Sequence, residues 1–468
     1  MFFLASFLTP ADFFVVPLCF LVLLMFFSVV VRKYKDEKIR KIFLRAFYFK
    51  MACTLLFTLV TGYYYKGGDS EMYYYCIQHL QDAVMDDPDN FVKIYMTKAI
   101  NVKTPLMNYF IFTDSPYPDF EAMHDPGNFW VPKFGLPFSL IFNQSYISIA
   151  MFFSFFALGG AIRLFKFFYH YFPQYYREIA VATLFLPSVG YWSAGIIKDP
   201  ICFGAVGYIV YGFFNMFIRR RKYLSSLIWI GITGTLVYFI KVYILLALAP
   251  AIVLWLFSEF NKVVQNKTLR RIMTFLTLSI GAVLAVLLVN YATSSESLKA
   301  FRFDTITETS AQNRAIYEEF GEKYEGSYYS VGTSNPVLLF LNGIAATFFR
   351  PFIWEVNGIT AFFSAIEGFF FLCMTLVLIY KKGLINFFKK AFSHPVLMMC
   401  FIFSIIFAAA VGSTALNFGS LSRYKIPCLP FYLLMVLIIY RNAGLTYPTW
   451  LKRLFGYRQP FRRVKQAF

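Results

Sequence analysis

Tyr63-Tyr64-Tyr65-Lys66-Gly67-Gly68-Asp69-Ser70-Glu71 closes an apolar run, residues 43–64, that is long enough to cross a bilayer, and Met72 and three more tyrosines follow it. The stretch sets the fold class, because a run of that length ending at one point in charge and glycine reads as a membrane helix meeting water. Gly67-Gly68 lets a backbone approach a ligand closely, and an acid at the mouth of a membrane helix is hard to explain as packing. Asp69 is therefore the first candidate for chemistry, and Glu71 is the second acid beside it.

Runs of the same kind recur from one end of the chain to the other. Segments near 11–31, 43–64, 139–162, 179–196, 199–218, 223–240, 242–259, 272–291, 356–380, 395–413 and 425–440 predict about 11 spans. Pro336 to Phe349 is too short to cross comfortably and reads as a re-entrant or interfacial helix. The fold expected is all-α, a polytopic transmembrane helical bundle with two large extracytoplasmic loops. Its segments are 1–64 (the first two spans), 65–138 (a loop with surface helices), 139–291 (central spans), 292–335 (a second loop), 336–440 (the re-entrant helix and last spans) and 441–468 (a basic tail). Composition agrees: of 468 residues, 59% are hydrophobic, 21% aromatic and only 15% charged, too apolar for an ordinary soluble domain. Met1-Phe2-Phe3 lacks the basic start of a cleaved leader, and no small-residue cleavage site follows.

The formal charge of +19 is spread rather than gathered. Basic clusters at 32–45, 163–177, 219–222, 262–271, 381–390 and 441–465 alternate with apolar runs, which marks them as cytoplasmic and facing lipid head groups. No aromatic-basic binding module is present, so nucleic acid is not an expected partner and membrane lipids are. Placing every cluster inside requires the N-terminus outside and the C-terminus in the cytoplasm. Loops 65–138 and 292–335 then lie outside. The first carries ten acids against five lysines, and the second carries Glu318, Glu319, Glu322 and Glu325 with Tyr328 and Tyr329. All of the seven cysteines but Cys76 fall in apolar runs, and His79, His124, His170 and His394 show no metal-ligand spacing.

The remaining informative polar groups sit at outer ends of spans. Lys198 and Asp199 occupy a short hairpin after Trp192; either they pair with each other, or Lys198 reaches an anionic ligand group with Asp199 orienting it. Lys241 divides two apolar runs and either snorkels or joins that site. Arg350, before Pro351, and Arg423, beside Tyr424, offer forks of donors suited to phosphate, and Glu355 and Glu367 are either part of the site or structural counter-ions. Glu367 lies three turns into a span, which is costly unless it faces protein. A ligand matching these groups is anionic and amphipathic, with phosphate for the cations, an apolar chain for a groove and sugar for the tyrosine-rich loop.

Gly67-Gly68-Asp69-Ser70 with Tyr73 or Tyr74, the Trp192-Ser193-Ala194-Gly195-Ile196-Ile197-Lys198-Asp199 hairpin and Arg423-Tyr424-Lys425 before the last span resemble multispan bacterial envelope-polysaccharide proteins, the GT-C-type glycosyltransferases and related oligosaccharide polymerases. The resemblance implies an inner-membrane enzyme that uses a polyprenyl-phosphate-linked sugar donor and a glycan or lipid acceptor. It places an acidic catalytic base or metal partner in the first outer loop, where Asp69 matches by location and Glu71 is a weak substitute for a second acid. The chain departs from the family pattern in lacking Asp-x-Asp or Asp-Glu there, so dependence on a divalent metal is left open, and in having an extra span before the loop. No Gly-rich nucleotide loop follows a strand, so no nucleotide cofactor is expected. A transporter or flippase of lipid-linked sugars and a noncatalytic subunit of an envelope machine are the rival readings; no internal repeat supports the former.

Overall fold

The computed structural model describes residues 9–261, apart from 112 and 114–118, and residues 335–456, apart from 357 and 416, with isolated positions at 268, 272, 312 and 315. The expected span at 272–291, almost all of the second loop with Glu318, Glu319, Glu322, Glu325, Tyr328 and Tyr329, and the tail beyond 456 lie outside the described residues. Among the described residues the architecture is helical, with no β-strand.

The chain begins with α1 (Asp12–Arg32) and α2 (Glu37–Leu59), the latter extended by a π turn over Val60–Tyr64. Shorter helices follow: α3 (Asp69–Asp86), α4 (Asn90–Met96), α5 (Asn108–Ile111), α6 (Asp119–Ala122) and α7 (Pro126–Ile141). Then come α8 (Tyr146–Tyr171), α9 (Tyr176–Leu184), α10 (Pro187–Trp192), α11 (Lys198–Phe213) with a π turn over Phe214–Ile218, α12 (Tyr223–Lys241) and α13 (Tyr243–Asn261). The last part holds α14 (Pro336–Phe349), α15 (Ile359–Lys382), α16 (Leu384–Ala391), α17 (Pro395–Thr414), α18 (Phe418–Tyr424), α19 (Leu429–Asn442) and α20 (Thr449–Leu454). Several starts are set by a side-chain cap followed by proline, whose missing N–H costs nothing in the first turn. Asp125 accepts from Gly127, Asn335 from Val337 and Leu338, and His394 from Val396.

Eight of these helices are long and apolar enough to cross a membrane, or nine if α18 and α19, which meet at 71°, count as one bent span. Pro427 and Pro430 fall at that bend and remove the N–H groups that would continue a helix. One expected span, 139–162, begins later, as α8, which is one of the eight, and another takes a different form. The run expected over 139–162 is divided between α7 and α8, because Asn143 and Gln144 adopt left-handed backbone (φ 47° and 59°) and end the first helix. The run over 179–196 becomes two short helices, α9 and α10, broken at Phe185-Leu186 just before Pro187. The short apolar helix expected before Arg350 is present as α14.

The fold has two compact units, Met1–Phe167 with Val189–Val242, and Phe168–Ser188 with Tyr243–Phe468. In the first, Phe27 stacks on Phe47 (5.1 Å between centroids) and joins α1 to α2. Trp130 of α7 stacks on Phe239 of α12 at 4.9 Å. Helices α8 and α11 touch backbone to backbone, since a methyl on Gly160 would overlap Gly204 and one on Gly207 would overlap Gly160. In the second unit Gly343 of α14 and Gly412 of α17 make the same kind of contact, with the Thr347 hydroxyl donating to the Ala408 carbonyl at 2.7 Å. Phe348 stacks on Tyr432 at 3.9 Å. The outer faces of α1, α12 and α15 keep large apolar side chains exposed, Phe13, Leu224 and Phe363 among them, as lipid-facing helices do.

Candidate functional site

Asp69 opens α3, and the backbone before it is unusual. Lys66, Gly67 and Gly68 have φ of 52°, 114° and 106°, so three successive residues occupy left-handed or glycine-only conformations. Gly68 takes the N-cap position and Asp69 lies inside the first turn. Asp69 is exposed while Glu71, two residues on and on the other side of the helix, is 1% exposed. The two acids therefore point apart. The turn is fixed from below: Ser70 Oγ and Tyr146 OH lie 2.7 Å apart, Tyr73 donates to Asn128 Oδ1 at 2.7 Å, and Tyr74 donates to the Gln144 carbonyl at 2.7 Å. These tyrosines are structural anchors; Tyr63, Tyr64 and Tyr65 are the exposed ones.

In the same unit Lys198 and Asp199 do not pair with each other. Lys198 Nζ meets Asp125 Oδ2 at 3.3 Å, while Asp199 Oδ1 accepts from Lys241 Nζ at 2.6 Å, with Lys241 8% and Asp199 1% exposed. Asp199 therefore orients Lys241 rather than Lys198, and Lys241 is buried against it instead of snorkelling. Asp125 carries two duties, capping α7 through Oδ1 and holding Lys198 through Oδ2. Below the hairpin, Lys50 in the middle of α2 is buried and donates to the Gly190 carbonyl at 3.0 Å, the Ser193 carbonyl at 2.6 Å and Ser193 Oγ at 2.5 Å. That one amine satisfies two carbonyls at the broken end of α10, while the Val189 and Tyr191 carbonyls accept from the Ser193 and Ala194 N–H groups. An amine inside an apolar run is a signal the sequence held; that its partners lie some 140 residues on is not.

In the second unit Arg350 is tied to Glu355 through Nε, at 3.1 Å from each carboxylate oxygen, and through Nη2, and its guanidinium lies 5.3 Å from the Phe418 ring. Glu355 is thus the counter-ion of Arg350. Glu367 accepts from Ser188 Oγ at 2.5 Å and from the Ser188 N–H at 3.2 Å, and interacts electrostatically with buried Lys425, which also donates to the Arg350 carbonyl at 3.3 Å. Arg423 and Tyr424, one turn before the bend, are half-buried. Lys50, Asp125, Ser188 and Lys425 are the participants sequence reasoning missed. Of the seven substrate-binding candidates, Lys198, Asp199 and Lys241 belong to the first unit and Arg350, Glu355, Arg423 and Tyr424 to the second.

Among the short helices after α3, Lys133 is 1% exposed, donates to the Thr97 carbonyl and lies 4.4 Å from the Phe129 ring and 4.8 Å from Trp130. Burial pushes its ammonium pKa down to about 8. His79 and Asp119 meet at 3.0 Å in the same region. Among the described residues no three His, Cys, Asp or Glu side chains gather as a metal site.

These features define the class: a multi-pass helical membrane protein with charged groups fixed at breaks between its helices. No family model, no curated protein and no solved structure matches the chain.

Proposed function

We propose that the protein is a GT-C-like glycosyltransferase or glycan polymerase, acting on a polyprenyl-phosphate-linked sugar at the outer face of a bacterial cytoplasmic membrane, with its N-terminus outside and its C-terminus inside. The observation that carries the reading is Asp69: an exposed carboxylate on a strained Lys66-Gly67-Gly68 turn, held still by three tyrosine hydroxyls. Gly67 and Gly68 take positive φ without steric penalty, and left-handed Lys66 costs about 1–3 kcal/mol, strain that persists where the geometry is used. In the reaction Asp69 takes the proton of an acceptor hydroxyl, the acceptor oxygen bonds to the anomeric carbon, and the bond from that carbon to the lipid phosphate breaks with its electron pair leaving on phosphate. Lys198, paired with Asp125 in the same unit as Asp69, is suited to the charge that grows there.

One observation favours a transporter of the same ligand, namely the buried break between α9 and α10 with Glu367 inside a span, since discontinuous helices and intramembrane acids mark transport sites. The two readings part on chemistry. Purified protein with a radiolabelled lipid-linked sugar releases lipid phosphate and builds glycan if it is a transferase, and Asp69→Asn lowers the rate by about 10²-fold or more at equal expression. Near wild-type transfer by Asp69→Asn sinks the catalytic role. Lipid-linked sugar crossing vesicles unchanged supports the transporter.

A further inference from the structure

The opposite end of α11 holds a second charged cluster that the proposed reaction does not use. Lys198 starts the helix and Ile218 ends its π turn, 21 residues or about 30 Å away. There the charge of half-buried Lys166 on α8 meets those of Arg163, Arg219 and Lys222. Its ammonium sits 4.8 Å from the Tyr34 ring and 5.9 Å from Tyr211, and the Arg163 guanidinium lies 3.7 Å over the Tyr208 ring. None of the four cations makes an ion pair among the described residues. Asp199, at the far end of α11, is the single acid in residues 179–241, and 126–177 contain none. The carboxylates following Tyr34 are engaged elsewhere, Asp36 capping Lys38 and Glu37 pairing with Lys41 at 2.6 Å.

Four like charges brought together at the edge of an apolar core repel one another, and nothing in the packing requires them to converge. The linker that delivers two of them is itself strained. Arg220 and Lys222 have φ of 49° and 55°, left-handed backbone in non-glycine residues, and the Arg221 N–H is pinned to the Asn215 carbonyl at 3.0 Å. Inside the same π turn Asn215 is 6% exposed and its Oδ1 has no hydrogen-bond partner.

We infer that Arg163, Lys166, Arg219 and Lys222 form a phosphate-binding site at the Arg219 end of α11, separate from the Lys198 end. Two guanidinium groups supply planar forks and two ammonium groups supply point charges, a combination suited to a phosphate mono- or diester. The tyrosine rings pack against Lys166 and Arg163, while Arg219 and Lys222 are exposed. The phosphate comes either from an anionic phospholipid head group or from a soluble phosphate compound.

The test uses the full chain in nanodiscs. In phosphatidylcholine discs, inorganic pyrophosphate is titrated at low and high salt; in discs with phosphatidylglycerol, retained lipid is counted by native mass spectrometry. The exposed pair Arg219→Gln/Lys222→Gln weakens whichever ligand binds by about 30-fold. The charge-matched control Lys381→Gln/Lys382→Gln, equally exposed and on another helix, leaves it unchanged. Pyrophosphate binding assigns a soluble source, and retained phosphatidylglycerol assigns a lipid source. Absence of both, or equal loss in the control pair, overturns the site and reduces the cluster to general positive charge. Neither result depends on glycan transfer.

Discussion

Removing one partner of the Lys241–Asp199 pair is the most informative perturbation of the fold. At 2.6 Å, and with an effective dielectric of ~20, the attraction is about 6 kcal/mol, while taking each ion out of water costs several kcal/mol. Gain and cost nearly cancel for the intact pair, but an ion left alone keeps the cost without the gain. Asp199→Asn and Lys241→Met are therefore each expected to lose about 3–5 kcal/mol, and the double replacement Asp199→Leu/Lys241→Met to lose less than either. The assay is a denaturation midpoint of detergent-solubilised protein for wild type, both single variants and the double, read as a double-mutant cycle. A coupling under about 1 kcal/mol, with both single variants near wild type, would mean that water reaches the pair and that the hairpin is not built on it.

Three further outcomes are expected. Gly412→Ala drives a methyl into the Gly343 backbone and costs about 1–3 kcal/mol, whereas Gly231→Ala, on a helix face with open space, is neutral or stabilising by up to about 1 kcal/mol; thermal midpoints of the two variants check this. Lys133 has a folded pKa near 8 against an ordinary 10.5, so between those values the unfolded chain binds more protons and stability rises with pH. Lys133→Met removes that rise, and denaturation midpoints from pH 7.5 to 10.5 measure it. With the proposed orientation, an impermeant thiol reagent added outside intact cells labels Asp89→Cys and misses Lys381→Cys, both exposed positions; the reverse pattern inverts the topology.

Helix type and many boundaries were legible because a bilayer imposes a length and a hydropathy that any 20-residue run reveals. The break over 179–196 was not, since the apolar residues continue straight through Phe185-Leu186, and hydropathy is blind to backbone direction. Asp69 stood out by its Gly-Gly neighbours, and the structure gives it the exposure that reading needs. Charge pairing was the poorer inference. Lys198 and Asp199 are adjacent in sequence, but consecutive helical residues point about 100° apart, and their partners Asp125 and Lys241 come from helices elsewhere in the chain.

Helices α8 and α11 meet backbone to backbone at Gly160, Gly204 and Gly207, with the Phe156 ring also against Gly204. Two rods welded at mid-length have no soft layer to absorb a tilt. A push on the Lys198 end of α11 is then transmitted as leverage rather than dissipated, and the far end, where Arg219 and Lys166 meet, swings with it. The weld ties the two charged ends of this unit together, so widening it with Gly207→Ala, whose methyl would meet the Gly160 backbone, is expected to loosen one end from the other without touching a charge.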